Sequence, residues 1–170
     1  ALGLLDAKYD KFEGAACTAI QQSAVQGLGV LTPDSPVTSA LGCQQLFDGG
    51  GQAAGQVQDI SGGQLGSDYS GSLVFEYERP ISDNMMWFTH LDVNFTDGHF
   101  MTGDLDPIDY QPSLELFNLR TGLRTENWMI MAYGRNIGDE FYATGAADLP
   151  VARGSHFIYS GTTAVYGLQV

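Results

Sequence analysis

Basic residues are scarce in this sequence. Only 7 of its 170 residues are Lys or Arg, against 20 Asp and Glu, which gives a formal net charge of −13. Proteins that bind nucleic acid and proteins that dock on anionic lipid headgroups both depend on basic patches. The composition therefore argues against a nucleic-acid partner and against electrostatic docking on a lipid surface.

Long hydrophobic runs are missing as well. The longest apolar stretches, such as residues 128–134, are far shorter than the about 18–20 residues that a membrane-spanning helix requires. With 22 glycines and only 16 % charged residues, the composition also excludes a helical bundle or coiled coil. A hydrophobic fraction of 44 % is too high for a disordered chain. A β-rich protein remains, either soluble or a membrane barrel.

Cysteine is rare, with only Cys17 and Cys43 present. An even and sparse count in a glycine-rich β protein favours one disulfide bond in an oxidising compartment, with two unrelated thiols as the alternative. The N-terminus shows no basic region followed by a long apolar run, as a signal peptide would. We therefore expect the sequence either to be mature or to begin within a longer protein.

Alternation of apolar and polar residues predicts an all-β protein with about six antiparallel strands. The predicted strands cover residues 2–9, 70–79, 85–96, 114–125, 128–137 and 157–170. They are joined by long, short, long, short and long connections, and the long ones are residues 10–68, 97–112 and 139–156. Within the first long connection, only residues 18–26 are predicted to be regular, as a short helix.

The third predicted strand shows the alternation most clearly. Trp87, Leu91 and Val93 fall on one face, and His90 and Asp92 fall on the other. In a soluble sandwich the apolar face would pack in the core. In a membrane barrel it would meet lipid, while the polar face would line a wet lumen. The fifth predicted strand is apolar on both faces, so its orientation is left open.

Three further features favour the barrel. Long connections at one end of the strands and short turns at the other are typical of porin-like barrels, whose short turns are periplasmic. Tyr77, Trp87 and Trp128 lie beside the short turns, where an aromatic girdle at a membrane interface would place them. Most of the acidic residues lie in the long connections, and a soluble sandwich has no need to concentrate charge at one end.

The run NLRTGLRTENWMIMAYGRNIGDEFY, at residues 118–142, contains N-L-R-x-G, a gap, W, and G-R-N-I-x-D-x-x-Y. This pattern resembles the C-terminal barrel of TonB-dependent outer-membrane receptors. The matching residues are Asn118, Leu119, Arg120, Gly122, Trp128, Gly134, Arg135, Asn136, Ile137, Asp139 and Tyr142. Residues 166–170 resemble the final strand of the family. The opening of the chain and its second cysteine are similar to a subgroup with a disulfide in a long extracellular loop.

The resemblance implies that residues 1–170 are the C-terminal segment of a transmembrane β-barrel with long extracellular loops, of which residues 10–68 are the longest, and short periplasmic turns. The sequence departs from the family at residues 163–165, where Pro-Arg-Thr is usual, and it contains no plug domain. About six strands cannot close a barrel of ~22 strands. We therefore expect the remainder of the receptor to supply the missing strands.

The function implied by the resemblance is transport, not enzymatic catalysis. An outer-membrane receptor of a Gram-negative bacterium would take up a scarce nutrient, such as a metal–siderophore, a cofactor or an oligosaccharide, with energy from the TonB complex through the plug. The partners would be outer-membrane lipid, the rest of the receptor, the TonB complex and the transported ligand, with no cofactor of the protein's own. The alternative is a soluble extracellular β-sandwich binding module, with Leu73 and Phe75 packed against Leu91 and Val93 in a dry core.

The lumen-facing candidates for ligand contact are His90, Asp92, Arg120 and Arg124. The structural interpretation of the two arginines is ion pairing with Glu76, Glu78 or Asp92. No serine or cysteine nucleophile is placed beside His90 and Asp92, so no catalytic residue is assigned.

The second long connection carries Asp104, Asp106 and Asp109 in a D-x-D-x-x-D pattern. Hard oxygen ligands at this spacing suit Ca²⁺, but the glycine and the distal glutamate of an EF-hand loop are missing. We interpret the three aspartates as a solvated acidic loop and assign no metal ligand.

Overall fold

The computed structural model describes residues 1–149 and 155–170, and it is all-β with antiparallel pairing in every sheet. In chain order the strands are β1 (Leu2–Leu4), β2 (Ala15–Ala16), β3 (Ser39–Ala40), β4 (Cys43–Phe47), β5 (Ala53–Gln58), β6 (Tyr69–Ser82), β7 (Met85–Thr96), β8 (His99–Phe100), β9 (Tyr110–Gln111), β10 (Leu114–Arg124), β11 (Met129–Arg135), β12 (Ala143–Asp148), β13 (His156–Ser160) and β14 (Val165–Gln169). Helix α1 covers Ala19–Gln26, and a 3-10 turn covers Pro107–Asp109. No helix in the described ranges is long and apolar enough to cross a membrane.

Six strands form the main sheet, in the order β1-β6-β7-β10-β11-β14. The chain runs through this sheet as a meander, so each strand lies beside the previous one. Tight turns join β6 to β7 and β10 to β11, and three long loops join the others: the first (residues 5–68), the second (97–113) and the third (136–164). The main sheet has the six strands predicted and the predicted alternation of long and short connections, but within the described residues the loops add eight short strands that the sequence did not predict as separate elements. The first predicted strand, residues 2–9, is shorter than expected and ends at Leu4.

The main sheet has one apolar and one polar face. Val93 on β7 lies opposite Leu73 on β6 and Phe117 on β10, which sets three apolar side chains in a row. One step along the same strand, Asp92 lies opposite Val74 and Asn118. Because successive residues of a strand point to opposite faces, each row continues on its own side of the sheet.

The register also orients β11, which the sequence left open. Arg120 on β10 is paired with Tyr133, so Tyr133 and Met131 lie on the polar face. Ile130 and Ala132 therefore lie on the apolar face.

Neither face of the main sheet is covered by a second layer within the described part of the chain. The buried hydrophobic residues there all lie outside this sheet; they are Ala15, Cys17, Ala19, Val25, Cys43 and Ile60. On the apolar face, Leu73 is 63 % exposed and Phe75 is 58 % exposed. A sheet with one exposed apolar face lacks the dry core of a sandwich.

The first loop is more ordered than predicted. It holds α1 and a four-stranded sheet in the order β2-β5-β4-β3. The predicted helix is confirmed, and it begins with a capping box: Thr18 accepts from the backbone N–H of Gln21, and the Gln21 side chain accepts from the backbone N–H of Thr18. The four strands are short and lack long apolar alternation, so the period-two pattern does not reveal them.

The predicted disulfide is confirmed, because Cys17 and Cys43 are bonded with their Cα atoms 5.7 Å apart. Both cysteines are fully buried and pack with Val25 to form the small core of the first loop. Partly buried Leu31 and Ala40 complete this core. The disulfide therefore joins the segment between β2 and α1 to β4, at the only buried apolar cluster of this loop among the described residues.

Replacing Cys17 and Cys43 together with serine should loosen the first loop without unfolding the main sheet. The bond closes a sequence separation of 26 residues, for which the chain-entropy model gives about 3.5 kcal/mol. Limited proteolysis should cut the variant within residues 18–42 much faster than the parent, while β6 and β7 stay resistant. Equal cleavage rates in parent and variant would contradict a bracing role for the disulfide.

The last predicted strand, residues 157–170, is wrong as a single element. The chain makes two strands there: β13 pairs with β12 in a separate hairpin, and β14 pairs with β11 in the main sheet. The break lies at residues 161–164. Gly161 packs directly against the ring of Tyr142, where a Cβ would overlap, and the carbonyl of Thr162 accepts a hydrogen bond from Asn136 at 2.9 Å.

Candidate functional site

The polar face of the main sheet carries an open depression of about 570 Å³ formed by β7, β10, β11 and β14. Three of the four predicted lumen-facing residues line it: His90, Asp92 and Arg120. Tyr133 and Arg135 lie on the same surface. The depression thus brings a carboxylate, an imidazole and two guanidinium groups together, which suits a polar ligand.

Hydrogen bonds hold two of these side chains, His90 and Asp92. Asp92 accepts from the Asn118 side chain at 3.0 Å, and the Nδ1 atom of His90 lies 3.0 Å from the Glu76 carboxylate. Asn118 in turn accepts from the backbone N–H of Asn136 at 3.0 Å. Neighbours on the adjacent strands therefore fix the imidazole of His90 and the carboxylate of Asp92.

Arg124 lies apart from the depression. Its Nη2 atom donates to both carboxylate oxygens of Glu78, at 2.9 and 3.0 Å, by reaching across β7. This is one of the ion pairs predicted from the sequence. Both side chains are about half exposed, so the pair contributes at most about 1 kcal/mol.

The solvated acidic loop predicted at Asp104, Asp106 and Asp109 is wrong in the structure. Asp106 and Asp109 are both 0 % exposed, and one carboxylate oxygen of Asp104 is buried as well. Burial arises because β8 and β9 pair and the 3-10 turn folds the acidic segment inward. Ionised carboxylates removed from water are costly unless a partner compensates them.

The third loop brings two further groups to these carboxylates. Asp148 and His156 face each other across the β12–β13 pair, with Nδ1 of His156 3.0 Å from Oδ1 of Asp148. The same nitrogen lies 3.4 Å from Oδ1 of Asp109, and Nε2 lies 3.8 Å from Oδ2 of Asp106. We call Asp104, Asp106, Asp109, Asp148 and His156 the Asp–His cluster.

The Asp–His cluster leaves its inward-facing atoms without hydrogen bonds. The buried atoms that lack a partner are Oδ1 of Asp104, Oδ2 of Asp106, Oδ1 of Asp109, Oδ1 of Asp148, and both ring nitrogens of His156. Burial raises the pKa of Asp148, and the neighbouring carboxylates raise it further, while His156 opposes them. Six such atoms in one place are unusual, because buried polar groups are nearly always paired.

Sequence reasoning found the three aspartates of the second loop and missed Asp148 and His156. Neither of these two residues belongs to a recognisable spacing, and more than 35 residues separate each of them from Asp109. Only the pairing of β12 with β13 brings them together. The D-x-D-x-x-D pattern was the only sequence signal for this cluster. It indicated the three aspartates and gave no indication of Asp148 or His156.

Hydrogen bonds join the three long loops to one another. Gln58 in the first loop donates to the backbone carbonyl of Asp104 in the second at 2.7 Å. Gln111 in the second loop accepts from the backbone N–H of Ala143 in the third at 2.7 Å. The Asp–His cluster draws its residues from the second and third loops, and Asp104 accepts the contact from Gln58. We call the three linked long loops at one end of the main sheet the loop assembly, and the cluster belongs to it.

Comparison with protein-family models, curated proteins and solved structures finds no match to this chain.

Proposed function

We propose that the protein forms part of the transmembrane β-barrel of an outer-membrane receptor that imports a scarce nutrient in a TonB-dependent manner. The observation that carries the proposal is the two-faced main sheet: its apolar face is exposed and its polar face carries the depression. In a barrel the apolar face meets lipid and the polar face lines the lumen.

Three of the six strands of the main sheet are long enough to support a membrane span, while β1, β11 and β14 have only 3, 7 and 5 residues. Strands β6, β7 and β10 have 14, 12 and 11 residues, and a tilted transmembrane strand needs about 9–11 residues. At the turn end, the rings of Tyr77 and Trp87 pack edge to face with centroids 5.5 Å apart. Such aromatic groups are enriched where a barrel meets the membrane interface.

Three polar groups on the apolar face bond to one another, which also suits a lipid environment. Thr89 and Thr121 share a hydrogen bond at 2.9 Å, and the indole N–H of Trp87 donates to Thr121 at 3.0 Å. Unsatisfied polar groups are costly in hydrocarbon. A water-exposed face would not require these groups to be paired internally.

Within residues 1–149 and 155–170 the main sheet is open, since β1 and β14 each have a partner strand on one side only. An open edge in the hydrocarbon region would leave its backbone N–H and C=O groups unpaired. In the proposed receptor, other strands of the barrel pair with these two edges. The ligand would then meet the loop assembly from outside and the His90, Asp92 and Arg120 surface within the lumen.

The soluble sandwich is less well supported. It requires Leu73 and Phe75 to face Leu91 and Val93 across a core, but these residues lie side by side on one face of one sheet.

Two arginine substitutions test the proposal in cells that produce the protein. Val74 and Phe75 are adjacent in β6, both are 58 % exposed, and they lie on opposite faces. Arg on a lipid-facing barrel position costs about 2–4 kcal/mol near the membrane midplane and is tolerated in the lumen. We therefore expect Phe75→Arg to deplete the protein from the outer-membrane fraction, whereas Val74→Arg leaves it there.

Detergent extraction completes the test. The parent protein should sediment with outer membranes, resist extraction by high salt or urea, and enter solution with detergent. Recovery of the parent in the soluble fraction without detergent would contradict the proposal. So would equal membrane levels of the two arginine variants.

A further inference from the structure

We propose that Asp106, Asp148 and His156 bind a divalent transition-metal ion that accepts mixed nitrogen and oxygen ligands, with Zn²⁺ as the probe. Each of the three residues offers one ligand atom, and these atoms all lie within 4.8 Å of one another. Asp109 lies beside this group, with its Oδ1 atom 3.4 Å from Nδ1 of His156, but it is not one of the three residues whose ligand atoms meet this limit. This inference concerns the loop assembly and does not depend on membrane insertion.

The spacing of the atoms fits a shared ion. Ligand atoms bound about 2.1 Å from one metal ion lie about 3.0–4.2 Å from one another. Nδ1 of His156 lies 3.0 Å from Oδ1 of Asp148, and its Nε2 lies 3.8 Å from Oδ2 of Asp106. One of these two ring nitrogens would bind the ion, and one ligand atom from each of the three residues lies within 4.8 Å of the other two. These carboxylate contacts are too poorly aligned with the ring to count as hydrogen bonds, since both ring nitrogens remain without a partner.

Deeply buried atoms without partners are the second and independent observation. The side chain of His156 is 8 % exposed and that of Asp106 is 0 % exposed, yet neither inward-facing group has a hydrogen bond. Among the residues that the structure describes, His156 is the only basic group within 4 Å of these carboxylates. A divalent cation would satisfy the free lone pairs and neutralise charge at the same time.

The outer oxygens of Asp106 and of the neighbouring Asp109 are already held by hydrogen bonds. Oδ1 of Asp106 accepts from the backbone N–H of Ile108 at 2.9 Å, and Oδ2 of Asp109 accepts from the Thr102 hydroxyl at 3.2 Å. Each contact directs the other oxygen of the same carboxylate toward His156. Orienting contacts of this kind accompany metal ligands in proteins.

The donor set selects among cations. Imidazole nitrogen suits Zn²⁺ and similar transition metals, whereas Ca²⁺ takes six to eight oxygen ligands and Mg²⁺ keeps most of its water. One imidazole with several carboxylates therefore favours Zn²⁺ or Mn²⁺ over Ca²⁺ or Mg²⁺. The ion would clamp the second loop, through Asp106, to the third loop, through Asp148 and His156.

Equilibrium dialysis of the purified full chain, stripped with EDTA, against Zn²⁺, Mn²⁺ or Ca²⁺ tests the proposal. We expect one equivalent of Zn²⁺ or Mn²⁺ per chain and a rise in melting temperature with that metal, because a ligand that binds only the native state stabilises it. Ca²⁺ should bind more weakly than either.

Two variants and one control assign the ligands. His156→Ala should weaken Zn²⁺ binding by more than about 100-fold, since removing a mere orienting partner of a ligand already costs about 10–100-fold. Asp148→Asn should have a similar effect, and it leaves the apo protein folded because it removes a charge from a crowded carboxylate group. His99→Ala is the matched control, since His99 lies in the second loop outside the cluster and contacts Ser67.

Several results would overturn the proposal. These are the absence of stoichiometric Zn²⁺ or Mn²⁺ binding by the folded chain, binding of Ca²⁺ that persists in His156→Ala, and an equal loss of binding in His99→Ala.

Discussion

Replacing Asn136 with alanine should destabilise the protein by roughly 1.5–4.5 kcal/mol, because three hydrogen bonds to backbone groups are lost at a net cost of about 0.5–1.5 kcal/mol each. Asn136 is only 3 % exposed. Its Nδ2 donates to the carbonyls of Glu140 and Thr162, both at 2.9 Å, and its Oδ1 accepts from the N–H of Glu140 at 3.0 Å. A single amide thus holds the chain where it leaves β11 and where it enters β14.

Backbone conformation adds to the cost at this position. Asn136 has a φ of +47°, and the left-handed region is far easier for asparagine than for alanine. Hydrogen exchange of the amides in β14 should therefore increase sharply in Asn136→Ala, together with a lower midpoint of denaturant unfolding.

Asn127→Ala is the control for this prediction. Asn127 lies exposed in the tight turn between β10 and β11, and a surface substitution there should change the stability by less than about 0.5 kcal/mol. If the two alanine variants unfold at the same denaturant concentration, the amide of Asn136 does not carry the contact assigned to it.

The main sheet could be predicted from the sequence because its strands are long and alternate with period two. The spacing of Trp87, Leu91 and Val93 alone predicts that they share a face, and the strand register confirms this prediction. In β11, Met129 and Ile130 are equally apolar, so only pairing with β10 decides their faces. The spacing of residues along a strand is therefore enough to assign its two faces when one of them is polar. When both faces are apolar, the pairing with a neighbouring strand is needed to assign them.

The loop assembly could not be predicted in the same way. Its strands are two to six residues long, and hydrogen bonds from Gln21 and Gln58 hold part of it, with no alternating apolar face. The Asp–His cluster could not be predicted for a related reason. Asp106 and His156 come together only after two separate hairpins, β8–β9 and β12–β13, have folded. The split between β13 and β14 likewise depends on Asn136, a residue distant in the sequence from both.

Replacing Gly122 with alanine should reduce the stability of the main sheet by about 3 kcal/mol, the upper end of the usual cost of overpacking. A Cβ at this position would overlap the carbonyl oxygen of Ile130 and lie 2.8 Å from the Cα of Met131. Both obstacles are backbone atoms of β11, so no side-chain rotation can relieve the clash. β10 has partners on both sides, and its separation from β11 would have to increase.

Alanine substitutions at two other glycines should cause smaller losses of stability, and they serve as comparisons for Gly122→Ala. At Gly167 an added Cβ would meet the ring of Tyr133, which can rotate away, so we expect an intermediate loss of stability. At Gly103 it would meet nothing within 4 Å, so Gly103→Ala should unfold like the parent. In denaturant unfolding, Gly122→Ala should be the least stable of the three variants, Gly167→Ala intermediate and Gly103→Ala the most stable. Because backbone yields less readily than a side chain, any other order would mean that β10 and β11 do not approach as closely as their register requires.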